Sequence, residues 1–201
     1  AAAKIASDMV DAGLISDKEG LLRIDASQMH FFLHDSIDPD AEKEIIGKGL
    51  AASPGAATGK IVFSTDEAEL LAEQAEDVIL VRKETLLEDI LGIKAAKGIL
   101  PATGGLTSHA AVVARGMGAP CACGCKDLIV DMESKTISLG GTVLKHLDVI
   151  TLDGANGEIY KGEVPRVSSA EDQYFKKILK WADKYRVLKV RGNAETVEDV
   201  Q

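Results

Sequence analysis

Aromatic residues are scarce in this sequence, at 4% of 201 residues, and only five prolines interrupt it. Hydrophobic residues at 46% and charged residues at 27% are nevertheless close to average soluble usage, and glycine is plentiful at 19. A packed core is therefore within reach, and the chain reads as a globular α/β protein. Cysteine is nearly absent: Cys121, Cys123 and Cys125 are crowded into "CACGC". With no distant partner they exclude a disulfide framework and point to a reduced, cytoplasmic setting. Positive charge is short as well, with 23 Lys and Arg against 32 Asp and Glu, a formal net charge of −9. That balance argues against nucleic acid or an anionic membrane surface as partner. Basic residues do gather between Lys176 and Arg191, but acidic ones are interspersed, as on a solvated helix face. No apolar run approaches the roughly 20 residues a membrane helix needs, and no charged-then-apolar leader precedes a cleavage site. The chain opens on "AAAKIASDM" without a methionine and stops at "AETVEDVQ", so a longer parent protein is expected.

The first forty or so residues read as short helices. "SDKEGLLRI" offers Ser16 as N-cap with Glu19 three residues on, and "DASQMHFFLH" repeats the device with Asp25 and Gln28. His30 and His34 are spaced four apart but lack the glutamate of zinc hydrolases, so core or surface histidines are expected. "HDSIDPDAEK" then breaks the pattern as a linker. From Gly47 onward short apolar runs alternate with helical periods. "DVILVR" (Asp77 to Arg82) reads as a buried strand, "LLEDILGIKAAK" as a helix, "GIL" ending at Leu100 as a strand, and Thr107 to Met117 as a helix. Ser64 or Thr65 is placed to cap the helix in "STDEAELLAEQ". "KTISL", "DVITLD" and "GEIYKG" follow as strands, with "DGANG" a turn between the last two. The expectation is a layered α/β domain with a mixed sheet. The three cysteines would alternate along a strand, sharing one face as small buried side chains. Zinc usually takes four ligands at other spacings, so no metal site is expected. Near the C-terminus "SSAEDQYFKKILKWADKYR" is amphipathic, with Tyr174, Phe175, Ile178, Leu179, Ala182 and Tyr185 in one apolar stripe and Glu171 and Asp172 in its first turn. "VLKVRGNAE" reads as one strand.

The stretch "TGGLTSHAAVVARGMGAP" carries the chemistry. Gly104 and Gly105 permit backbone geometry and close approach that other residues forbid. Thr107 and Ser108 are N-cap residues, so a helix is expected to start within one position of His109. The first-turn amides there have no intrahelical partner and lie at the positive end of the macrodipole, a ready site for phosphate. The dipole disfavours an imidazolium, leaving His109 a neutral nucleophile whose phosphorylated form the same amides and the Thr107 and Ser108 hydroxyls can hold. The bland alternative is a glycine pair before a capped helix with a chance histidine. Ala110, Ala111 and Ala114 let the helix lie close to the sheet in either case. Arg115, about 120° around the helix from His109, is a candidate for the phosphate or for the helix end beside Gly116.

These residues resemble a known signature. "GGLTSHAAVVARGMGAPCACGC" is similar to the phosphohistidine motif of the pyruvate, phosphate dikinase family, and "GLAASPGAATGKIVF" and "DVITLDGANGEIYKG" are similar to that family's central domain. The resemblance implies a swivelling β/β/α phosphohistidine domain with a mixed sheet, flanked by helical linker segments. It divides the chain into the helical end of a nucleotide-binding region and linker (1–46), the phosphohistidine domain (47–165), and a linker helix with the first strand of a pyruvate- and PEP-binding barrel (166–201). By that resemblance His109 accepts a phosphoryl group from the β-phosphate of ATP and passes it to pyruvate. Gly104, Gly105, Thr107, Ser108 and Arg115 would support it, and Thr107 matches a position that plant relatives phosphorylate as a regulatory switch. It further implies Mg²⁺ bound outside this stretch, pyruvate or PEP and ATP or AMP held by flanking domains, and a homodimeric full-length enzyme. A compact domain on two hinges, "HDSIDPDAEKE" and "GEVPRVSSAED", could carry the group between distant sites.

Three departures from the family pattern stand out. Leu106 replaces the usual Met, Leu86 and Leu87 replace Ser-Pro in "ETLLEDI", and "LPATGG" replaces Leu-Thr-x-x-Gly-Gly. Rival readings are the related domain of a phosphoenolpyruvate synthase or of phosphotransferase-system enzyme I, and a non-catalytic module that binds an anion or a partner.

Overall fold

The computed structural model describes residues 2–25, 34–168 and 173–188. It divides into two compact units, Ala1–Met29 with Asp172–Gln201, and His30–Glu171.

The smaller unit contains helices α1 (Ala2–Asp11), α2 (Asp17–Leu22) and α6 (Gln173–Tyr185). α2 opens on the expected capping box: Ser16 Oγ accepts from the Glu19 amide, and the Glu19 carboxylate accepts from the Ser16 amide at 3.0 Å. A Cβ on Gly20 would stand 2.9 Å from Val10 and 3.1 Å from Trp181, so the absent side chain lets the indole seat there. The buried face of α6 is the expected one except at Leu179: Ile178 is buried and Tyr174, Phe175, Ala182 and Tyr185 are half-buried. Leu179 is 47% exposed and Trp181 only 8%, because Ile178 and Trp181, three residues apart, share one side of the helix while Leu179 is turned about 100° from Ile178. Gln28, His30, Glu171, Asp172 and most of the expected last strand lie outside the described residues.

The larger unit is built on strands. In chain order they are β1 (Ser36–Ile37), β2 (Ile45–Lys48), β3 (Leu50–Ser53), β4 (Ala56–Val62), β5 (Val78–Arg82), β6 (Gly98–Pro101), β7 (Cys121–Cys123), β8 (Ile129–Asp131), β9 (Thr136–Leu139), β10 (Thr142–Lys145), β11 (Val149–Asp153), β12 (Glu158–Lys161) and β13 (Arg166–Val167). Helices α3 (Thr65–Glu73), α4 (Ile90–Ala95) and α5 (His109–Met117) lie between β4, β5, β6 and β7, which pair in parallel as such crossovers require. The remaining pairings are antiparallel, giving an eight-stranded mixed sheet in the order β2-β12-β11-β4-β5-β6-β7-β3. β2 and β3 hold opposite edges although only Gly49 separates them, so the sheet curls enough to bring adjoining ends of its two edge strands together. A Cβ on Gly49 would stand 2.8 Å from the Cys123 carbonyl oxygen.

Period-2 alternation on the central strands sends side chains to two cores. Ile79 and Val81 join Ile137, Leu139 and Leu144 beneath a small sheet ordered β10-β9-β8. Val78 and Leu80 instead join Ala68, Ile93, Ala111 and Ala114 beneath the helices. The layers are therefore β/β/α, a mixed α/β fold as expected. Asp153 closes the expected β11–β12 turn, its carboxylate accepting from the amides of Ala155 and Asn156.

Several details differ from the sequence reading. "LLEDILGIKAAK" is not one helix but a 3-10 turn, Leu87–Asp89, followed by α4. Asp89 does not cap α4: its carboxylate is taken by Arg82 at 3.1 Å and by the Leu86 amide at 2.8 Å. The cysteines do not share a face. Cys121 and Cys123 lie in the core beneath the helices and Cys125 in the other, because Gly124, at φ +61°, breaks the alternation between them. β1, β2, β3, β8, β10 and β13 have no counterpart in the sequence reading. Finally, the two stretches read as hinges run together, with Ser36 paired to Val167 and Ile37 to Arg166.

Candidate phosphohistidine site

The loop from β6 to α5 is held at several points. The Ala102 amide donates to the Arg82 carbonyl at 2.8 Å, and the amide and hydroxyl of Thr103 both donate to the Lys83 carbonyl, at 3.1 and 2.9 Å. On its other side Gly124 comes so near that a Cβ there would stand 2.4 Å from the Gly104 carbonyl oxygen. Gly104 has φ +107°, which favours glycine, and a Cβ on it would crowd Ser108 at 3.0 Å. Gly105 is different: its backbone is not left-handed and a Cβ would meet nothing within 4 Å. Its missing side chain leaves open space beside the loop.

α5 begins at His109 with Ser108 as N-cap in extended backbone. Ser108 Oγ accepts from the Ala111 amide at 3.4 Å, and the Ser108 amide donates to the Gly105 carbonyl at 2.9 Å. The cap uses only a lone pair of the hydroxyl, so its proton stays available for an incoming anion. Among the described residues no backbone carbonyl accepts from the amides of His109 and Ala110, which carry the positive end of the helix dipole. Thr107 is exposed, while Ser108 and His109 are half-buried. His109 Nε2 is buried and has no hydrogen-bond partner. Such atoms are few in native proteins and call for a reason.

Arg115 stands six residues beyond His109. Its guanidinium donates to the carbonyls of Ala52 and Leu106, both at 2.8 Å, so one side chain straps the loop to β3. Beneath α5 lie Cys121 and Cys123, while Cys125 is buried in the opposite core. Burial, with Cys123 alongside, pushes the Cys121 thiol up to about 12 against the opposing charge of Arg115, and burial raises Cys123 and Cys125 as well. Among the described residues no group of three or more His, Cys, Asp or Glu is placed to hold a metal ion.

The structure thus gathers Gly104, Gly105, Thr107, Ser108 and His109 at one helix start, with Arg115 reaching back to the loop from the far end. Sequence reasoning overlooked Gly124 and the carbonyls of Ala52 and Lys83. A lone glycine inside an apolar strand is a signal of close backbone approach and pointed to the first. The carbonyls have no signal, because every residue has one.

Residues 74–157 match the family model described as PEP-utilising enzyme, mobile domain. Over 99% of its length the chain is 50% identical to a pyruvate, phosphate dikinase of Clostridium symbiosum, covering 23% of that protein. It is 50% identical to the pyruvate, phosphate dikinase of Rhizobium meliloti (strain 1021), over 100% of the chain and 22% of the relative. The corresponding Giardia intestinalis protein is 46% identical over 98% of the chain and 22% of its own length. The chain therefore spans less than a quarter of the relatives it matches. With the β/β/α layering, these matches show that residues 74–157 carry the mobile domain described for PEP-utilising enzymes.

Proposed function

We propose that this chain is the phosphocarrier part of a pyruvate, phosphate dikinase, with His109 as the residue that is phosphorylated. The observation that carries the reading is the buried, unpartnered Nε2 of a histidine at the first position of a helix. A site that merely binds an anion at a helix start has no need of that nitrogen. In the forward direction an imidazole lone pair of His109 forms a bond to phosphorus as the donor's P–O bond breaks, the electron pair leaving with the donor oxygen. In the second half pyruvate reacts as its enolate, a proton of its methyl carbon having passed to a base of the flanking domain; the enolate oxygen attacks phosphorus, the N–P bond breaks, and its electron pair returns to the ring. Free amides of His109 and Ala110 and the hydroxyls of Thr107 and Ser108 stabilise the phosphoryl oxygens between the two steps. Open space at Gly105 admits the reactants, and Arg115 holds the loop in place. A buried Nε2 must be uncovered before it reacts, so a turn of the ring or a shift of the loop accompanies transfer.

The wider assignment follows from the same reading. Residues 1–46 and 166–201 connect the carrier domain (47–165) to a nucleotide-binding region and a pyruvate barrel, which hold ATP or AMP and pyruvate or PEP in a cytoplasmic homodimer. In that reading Mg²⁺ belongs to those flanking domains, and no step here runs through it. The 50% identity to proteins named as dikinases favours this over a phosphoenolpyruvate synthase or a phosphotransferase-system enzyme I. A phosphate on Thr107 would crowd the loop with negative charge and block transfer. Incubating the full-length enzyme with labelled phosphoenolpyruvate should give an acid-labile, base-stable adduct that disappears in His109→Asn; full labelling of that variant overturns the assignment.

A further inference from the structure

Nothing in the proposed carrier role assigns work to Arg82, Asp89 or Thr103, yet together they link the segment after β5 to the histidine loop. Arg82 ends β5, with its side chain mostly covered. Its guanidinium donates to the Phe63 carbonyl at 3.0 Å and pairs with the Asp89 carboxylate at 3.1 Å. Asp89 is 3% exposed, and its second oxygen accepts from the Leu86 amide at 2.8 Å. The pair therefore pins both ends of the Lys83–Glu88 turn, in a chain where leucines stand at 86 and 87 and no proline stiffens the turn. From this pinned turn the Lys83 carbonyl accepts both hydrogen bonds of Thr103. One residue later comes Gly104, whose position Gly124 limits from the other side.

From this chain of contacts we infer that Thr103 is a positioning residue for His109, transmitting the fixed geometry of the Arg82–Asp89 pair to the loop that presents the ring. The inference rests on the carrier role of His109. Thr103 is exposed, so replacing it perturbs the loop without opening the core. Its hydroxyl is the distinguishing feature: the amide bond survives any substitution except proline, whereas the second bond needs an alcohol.

The test uses the full-length enzyme and single-turnover labelling of His109 by phosphoenolpyruvate. Thr103→Val, similar in shape but without the hydroxyl, should be labelled about fivefold or more slowly at saturating phosphoenolpyruvate, since small misplacements of a reacting group cost rate steeply. Half-saturation should not move, because the flanking domain that holds phosphoenolpyruvate is untouched. Thr103→Ser should restore the rate to within about twofold, as its hydroxyl can remake the bond. Labelling of Thr103→Val at the wild-type rate overturns the inference, and so do equal losses in the Val and Ser variants. Absence of label on the unaltered enzyme would instead refute the carrier role itself, so the two failures are distinct.

Discussion

The approach of Gly124 to the Gly104 carbonyl can be turned into a measurement. In Gly124→Ala the new Cβ sits at φ +61° and 2.4 Å from that oxygen, about 1 Å short of ordinary contact. Holding an L-residue in left-handed backbone costs about 1–2 kcal/mol. The contact adds to this, and because the obstructing atom is main chain no rotamer change relieves it. Either β7 or the loop must move. Gly118→Ala is the matched control: it has φ +68° but open space around the Cβ position, so it carries the backbone cost alone. In urea unfolding Gly118→Ala should lose about 1–2 kcal/mol and Gly124→Ala measurably more. Labelling by phosphoenolpyruvate separates them further. A displacement near 1 Å in the loop should slow Gly124→Ala between about tenfold and a hundredfold, whereas Gly118→Ala, at the far end of α5, should keep its rate. Equal stabilities and equal rates in the two variants would refute the idea that this contact sets the loop.

Arg115→Lys should lose about 1 kcal/mol, since one ammonium cannot reproduce a planar fork serving two carbonyls; amide exchange at Leu106–Ser108 should quicken, and unchanged exchange would remove Arg115 from the loop's support. Cys121, its thiol pushed up to about 12 by burial, stays protonated at pH 8, so alkylation by iodoacetamide should be at least about a hundredfold slower in the folded chain than in urea. Rapid modification without unfolding would contradict the packing under α5. The Glu158 carboxyl is held below its ordinary value of 4.5, chiefly by the Tyr160 hydroxyl and then by Lys48. A lowered folded value means that its stabilisation is complete above about pH 4.5 and fades as pH falls through that lowered value. Glu158→Gln should therefore flatten the acid side of the stability profile below pH 4.5 and leave its slope above pH 6 unchanged; an identical acid slope in the variant would refute the sign.

The local signals in the sequence were sufficient where an interaction closes within a few residues. Ser16 with Glu19, Ser64 at the start of α3 and Ser108 before His109 all cap as their types and spacing dictate, because a side chain and an amide three positions apart are always in reach. Branched apolar runs marked β5, β6 and β11 for the same reason, and the Gly-Gly-x-Thr-Ser-His stretch placed the candidate nucleophile within one residue of the observed helix start. What failed, or could not be seen, depends on groups far apart in the chain. The predicted helix opens as a 3-10 turn, with Asp89 paired to Arg82. Trp181 rather than Leu179 is covered, and Gly124 turns Cys125 to the opposite core. The histidine itself shows the division most plainly. Its identity and its place at a helix start follow from neighbours in sequence, but the covering of Nε2, the strap from Arg115 to Ala52 and the carbonyl that holds Thr103 exist only once segments distant in sequence lie side by side. Residue type decides what a group is able to do, and folding decides which main-chain atoms it meets, since those atoms are the same in every residue and leave no trace in the letters.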